Sequence, residues 1–177
     1  PNADLDALCQ LWRRTRPEAP LPARRDFLPE RDFRPWLGDL ALAEVWRDPL
    51  RFRARLVGTR IAATDGKDVT GQFLDVAFTD RYHSEIHPIF ALATETGEGV
   101  YGEIYFGRRL ANVSAQIVLP LAGDGQHVDM LLVGFSVLRR ADGDGDLRLI
   151  DEVTAGRVER KPLVRLPRRP DETDVTL

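Results

Sequence analysis

The segment RFRARLV, residues 51–57, restricts the fold of this chain more than any other because charged and apolar side chains alternate along it. A period of two is the pattern of a β-strand that has one face against a core and the other in water. We therefore predict that Phe52, Ala54 and Leu56 face the core, while the arginines between them face solvent. The stretch from Leu40 to Trp46 is also strand-like, and the turn sequence RDPL after it predicts a β-hairpin.

A group of short helices is predicted directly after this hairpin. Small residues in TRIAATDG, residues 59–66, favour a short helix that ends at Gly66. The stretch DVTGQFLDVAF predicts another helical turn, and residues 80–97 predict the longest helix of this region, with Gly97 as its end. Pro88 lies inside that helix, so it must either kink the chain or mark the start of the first regular turn.

Three further strands are predicted at residues 100–106, 111–121 and 128–138, and the turn AGDGQH joins the last two. Before the hairpin, an N-terminal helix carries apolar side chains on roughly one side and arginines at its end, and a second short helix is predicted from Asp26 to Gly38. The apolar side is formed by Leu5, Leu8, Cys9, Leu11 and Trp12. No parallel crossover is required, so the predicted fold class is α+β with an antiparallel sheet.

The length of 177 residues and the 43% hydrophobic composition fit one domain with extensions. We place an N-terminal helical extension at residues 1–38, the sheet domain at 39–140 and a C-terminal extension at 141–177. This last extension ends in RLPRRPDETDVTL, which is polar and contains prolines. It is expected to be loosely held.

Charge and cysteine content exclude several classes of protein. The net charge of −3 argues against a dedicated nucleic-acid binder, which needs a concentrated positive field along phosphates. The single cysteine, Cys9, cannot form an intramolecular disulfide, which favours a reducing, cytoplasmic location. No apolar run approaches the roughly 20 residues of a membrane-spanning helix, so no membrane role is predicted.

A ligand pocket between the helices and the sheet would be recognised by polar side chains on otherwise apolar elements. A buried hydroxyl or amide needs a hydrogen-bonding partner, and a ligand can supply one. The alternative is that these side chains bond to one another or face water. The candidate ligand-binding residues are Tyr82, His87, Tyr101, Ser114, Gln116 and Ser136.

His83 and His87 lie four residues apart, so on a helix their imidazoles could share a face and bind a divalent metal. The sequence HSEIH is not a complete metal motif and no third ligand is evident, so we assign no metal site and expect solvent-facing histidines. There is also no G-x-S-x-G and no phosphate-binding glycine loop. We therefore predict that the chain is not an enzyme.

Five motifs in this order resemble the small PAS-domain family that is common in alphaproteobacteria, often as a whole protein. They are LPARRDF at 21–27, LALAEVWRDPLRFRARLVGT at 40–59, GKDVTGQFLD at 66–75, ETGEGVYGE at 95–103 and VLPLAGDGQHVDMLLVG at 118–134. The resemblance implies a five-stranded antiparallel sheet with helices packed on one face and an N-terminal helix used for pairing or signalling. It supplies no catalytic residues. Some PAS domains bind haem through a histidine of the long helix, so His87 is the candidate axial ligand, although the cofactor is left unassigned.

The resulting prediction is a PAS-like sensory or regulatory domain that binds a small molecule or a signalling protein and changes the packing of its terminal helix. The amphipathic helix from Leu5 to Trp12 is the predicted surface of a homodimer. One alternative is a ligand-free adaptor that works by surface contacts. Another is a small enzyme on a related fold, which would need a deep cleft with perturbed acid or base groups.

Overall fold

The computed structural model of the chain describes residues 3–15, 21, 36–80, 82–106, 112–138 and 164–165. Five long strands are β1 (Leu40–Trp46), β2 (Arg51–Val57), β3 (Val100–Phe106), β4 (Asn112–Leu121) and β5 (Met130–Leu138). A two-residue strand, β6, is Val164–Arg165. All pairs are antiparallel, in the order β2-β1-β5-β4-β3-β6. The predicted α+β fold is confirmed, with one short strand added to the five predicted.

The helices are α1 (Ala3–Arg14), α2 (Thr59–Asp65), α3 (Leu74–Ala77) and α4 (His87–Thr96), and a π-helical turn, Tyr82–Ile86, leads directly into α4. Glycines in the left-handed region follow α2 and α4, at φ 73° for Gly66 and 65° for Gly97. Only glycine adopts this conformation without a steric penalty, which explains why these helices end where predicted. Pro88 is the second residue of α4, so it marks the first regular turn.

The segment from α2 to α4, here called the lid, covers one face of the sheet. The rings of Phe52 and Phe90 meet edge to face with centroids 5.2 Å apart, and α4 lies across β3, β4 and β5. Ala54 lies on the same face of β2 as Phe52, and residues that pair directly across neighbouring strands share a face. The paired row Ala54, Ala43, Leu131 and Pro120, which crosses β2, β1, β5 and β4, therefore also lies on the lid face. The residues of this row are all buried and, like Phe52, apolar.

Leu56 corrects the prediction for β2. Phe52 and Ala54 are buried under the lid as expected, but Leu56 is 44% exposed. The register shifts between the pairs Ala43–Ala54 and Leu42–Leu56, which leaves Arg55 as an extra residue on β2. Such a bulge moves the following side chain to the other face of the sheet. Leu56 therefore points away from the lid.

Helix α1 packs on the face of the sheet opposite the lid, over β4 and β5. Its five predicted apolar side chains are all buried within the chain. The indole Nε1 of Trp12 donates a hydrogen bond of 2.9 Å to the carbonyl oxygen of Pro120, and burial raises the pKa of the Cys9 thiol. Pairing of two chains through this apolar side would therefore require α1 to leave its own sheet.

Both edges of the sheet are extended by other segments. Residues 71–73 run along β2, where the amide of Ala54 donates to the carbonyl of Gln72 at 2.9 Å and the amide of Gly71 to that of Ala54 at 2.7 Å. At the other edge, β6 pairs with Val100 and Tyr101 of β3. The rest of the predicted C-terminal extension, and most of the helix predicted from Asp26 to Gly38, lie outside the described residues. Within the described part, no helix is long and apolar enough to cross a membrane.

Candidate functional site

Gln116 is the buried polar side chain at the centre of the lid face. It lies on β4, is 1% exposed, and its Nε2 has no hydrogen-bond partner among the described residues. Its neighbours across the ladder are Gly102 of β3 and Phe135 of β5. Gly102 has no side chain, so it offers no side-chain partner to the amide. An amide nitrogen buried in this way costs about 1–3 kcal/mol unless a partner is supplied.

Tyr82 is the second polar group without a partner, and it comes from the lid. The residue is 2% exposed, and its hydroxyl makes no hydrogen bond within the described part of the chain. Burial and the nearby Asp75 carboxylate raise the pKa of the phenol to about 12, although Arg51 opposes this effect. The hydroxyl is therefore neutral at physiological pH and can both donate and accept a hydrogen bond.

His87 belongs to a cluster of rings at the start of α4. Its imidazole centroid lies 5.9 Å from Phe52, 5.5 Å from Tyr82 and 6.3 Å from His83. The side chain is half-buried rather than solvent-facing, which corrects that expectation for this histidine, whereas His83 is exposed. The contacts with these three rings make the imidazole part of the packing between the lid and β2.

Two other predicted site residues lie on the opposite face of the sheet. Tyr101 pairs with Ile117, and Ser136 pairs with Ala115, so both lie on the face that α1 covers and both are half-buried. They are therefore separated from Gln116 by the thickness of the sheet, which corrects their assignment to one pocket. Ser114 is two positions from Gln116, in register with Ile104 and Val137, and its side chain lies outside the described part.

An ion pair between Arg51 and Asp75 connects the lid to β2. Arg51 Nε donates to Asp75 Oδ2 at 2.8 Å, and Nη2 donates to Oδ1 at 3.0 Å. These hydrogen bonds outweigh partial burial and lower the pKa of the Asp75 carboxyl. The alternation of β2 predicted a solvent-facing Arg51, and no local signal in the sequence connects it with a carboxylate 24 residues later.

No group of three or more histidine, cysteine or acidic side chains in the described ranges is placed to hold a metal ion. What the geometry does offer is hydrogen bonding: a carboxamide from the sheet and a phenol from the lid, each buried and each lacking a partner there. Each of these groups can form a hydrogen bond to a small molecule.

A family model described as a PAS domain matches residues 2–135 of the chain. This range includes α1, the hairpin, the lid and nearly all of the five long strands. No curated protein and no solved structure matches the chain at a significant level. The family match spans well over half of the 177 residues and agrees with the observed sheet and helices. The chain therefore belongs to the PAS-domain family.

Proposed function

We propose that this PAS-like sensory or regulatory domain binds a small molecule between the lid and the sheet, and that it acts by binding rather than by catalysis. The buried, unpartnered Nε2 of Gln116 carries the proposal. A ligand that places a hydrogen-bond acceptor against this nitrogen removes a cost of about 1–3 kcal/mol. The hydroxyl of Tyr82 is a second buried group without a hydrogen-bond partner in the described residues, and it belongs to the lid.

Strands β4 and β5 connect the site at Gln116 physically with helix α1. Gln116 faces the lid, and the next residue, Ile117, faces α1 and pairs with Gly134, where Leu8 is seated. Strands β4 and β5 thus contact the lid on one face and α1 on the other. A ligand that shifts β4 changes the contact of Leu8 with Gly134 and Ile117. The fraction of molecules in which α1 is packed on the sheet changes as a result.

We also propose a cellular location and an oligomeric state for the chain. The lone, buried Cys9 supports a reducing, cytoplasmic location. Membership of the stand-alone alphaproteobacterial group is supported by the order of the motifs. A homodimer through α1 is proposed for the undocked state alone, because in the docked state its apolar side is occupied by the chain's own sheet.

Native mass spectrometry, combined with an absorbance spectrum, tests the proposal on protein purified without denaturation. We expect the parent chain to carry a non-covalent small molecule and the Gln116→Leu variant to lose it. The variant Arg14→Gln, on the exposed end of α1, is the control and should retain the molecule. A bare chain in all three samples would reject the ligand-binding proposal and favour the ligand-free adaptor.

A further inference from the structure

The β1–β2 hairpin presents a mixed apolar and cationic surface on the face of the sheet opposite Phe52 and Ala54. This hairpin patch consists of Glu44, Trp46, Arg53, Arg55 and Leu56. Trp46 is 46% exposed and Leu56 is 44% exposed, and the two lie in one patch with the arginines. The bulge at Arg55 causes the exposure of Leu56, because it turns this side chain away from the core.

The charges of the hairpin patch are not balanced. Arg53 Nε donates to Glu44 Oε2 at 2.9 Å, and Trp46 Nε1 donates to the same oxygen at 3.3 Å. Arg55 Nε lies 3.8 Å from Glu44 Oε1, which is too far for a hydrogen bond. Two guanidinium groups therefore share one carboxylate. The Arg55 side chain is 58% exposed, so its guanidinium is accessible to a partner.

Stacking holds the patch in a defined arrangement. The Arg53 guanidinium lies 5.4 Å from the centroid of the Trp46 ring, and Trp46 meets Phe73 edge to face at 5.6 Å. Arg51 covers the Phe73 ring at 3.9 Å. Contacts of this kind restrict side-chain rotation before any partner arrives, which lowers the entropy lost on binding. Tryptophan and arginine are also the residues most enriched at the energetic centres of protein interfaces.

We propose that the hairpin patch binds a segment of a partner protein that presents a carboxylate to Arg55 and apolar side chains to Trp46 and Leu56. The guanidinium of Arg55 favours a carboxylate on the partner segment, and the exposed side chains of Trp46 and Leu56 favour apolar residues beside that carboxylate. A protein segment fits better than a nucleic acid, because the whole chain carries a charge of −3. Helix α1 covers β4 and β5 on this same face, so the bound segment would lie beside it.

Two synthetic amphipathic peptides of equal length test this proposal with the full chain. One peptide carries glutamates beside a leucine stripe, and the other carries glutamines in their place. Binding is followed by fluorescence polarisation of a labelled peptide and by the emission of Trp46, with Trp46→Phe identifying that signal. We expect the glutamate peptide to bind at least about tenfold more tightly than the glutamine peptide, and Arg55→Glu to abolish the difference.

Arg14→Glu is the matched control, because it makes the same change of charge at an exposed arginine of α1 outside the patch. It should leave the preference for the glutamate peptide intact. Equal binding of the two peptides, or equal loss in Arg55→Glu and Arg14→Glu, would overturn the proposal. A dimer of the parent chain that Leu56→Ser converts to a monomer in sedimentation would also overturn it, since a second copy would then be the occupant.

Discussion

Leu8 of α1 is seated directly on Gly134 of β5: a Cβ placed on this glycine would lie 2.5 Å from Leu8 Cδ2. Leu8 is completely buried, and Ile117, the residue paired with Gly134, completes the seat. The missing side chain of one residue thus creates the space that another fills. This contact joins the terminal helix to the strand pair that also carries Gln116.

Adding a methyl group at this contact should loosen α1. We expect Gly134→Ala to lower the free energy of unfolding by about 1–3 kcal/mol in urea denaturation, because the new Cβ overlaps Leu8. In a Leu8→Ala background the same change should cost much less, since the overlapping atoms are gone. If Gly134→Ala lowers the free energy of unfolding equally in both backgrounds, the overlap with Leu8 is not the cause of the destabilisation.

The indole of Trp12 provides a second anchor for α1. Trp12→Phe keeps most of the buried ring but removes the donor of the 2.9 Å hydrogen bond to the Pro120 carbonyl. The expected loss is about 1–2 kcal/mol, measured by chemical denaturation. Trp46→Phe is the matched control, because its indole N–H is in an exposed contact, and it should change stability by less than about 0.5 kcal/mol.

The buried phenol of Tyr82 should give the protein a distinct dependence on alkaline pH. Its folded-state pKa of about 12 lies above the unfolded value of about 10. Stability from the neutral phenol is therefore complete below the unfolded pKa and is lost as the pH rises through the folded pKa. Unfolding measured across this window should show a steeper decline for the parent than for Tyr82→Phe. Parallel declines would contradict the assignment.

Acid should release the lid from β2. The pKa of Asp75 is lowered by its hydrogen bonds to Arg51, so the pair contributes stability above the unfolded pKa and loses it as the pH falls through the folded pKa. Asp75→Asn should therefore be less stable than the parent at about pH 7 and nearly equal to it at about pH 2. A difference of the same size at both pH values would mean that charge is not the cause.

The period of two along residues 51–57 was enough to predict a strand, and the glycines at 66 and 97 were enough to end two helices. The bulge at Arg55 was not predictable, because it depends on the register of β1 rather than on a local pattern. The error at Leu56 follows from that. The sheet order and the position of α1 also depend on contacts between distant residues.

The burial of the candidate residues was predictable in part, and their binding of a ligand stays a prediction. Polarity alone selected Gln116 and Tyr82, which are both buried and lack a hydrogen-bond partner among the described residues. The same criterion selected Tyr101 and Ser136, which the register places on the other face of the sheet. Because both faces of β4 and β5 are buried, alternation along a strand does not say which face meets the lid.

The free energy of unfolding of Gln116→Leu tests most directly whether the amide is kept for a ligand. The comparison uses parent and variant chains that are both refolded from denaturant, so that no bound molecule is carried over. If Nε2 is unsatisfied within the chain, the variant should match the parent or exceed it by about 1–2 kcal/mol. A variant less stable by about 1 kcal/mol or more would show that the amide already has its partner inside the protein, and would contradict the account.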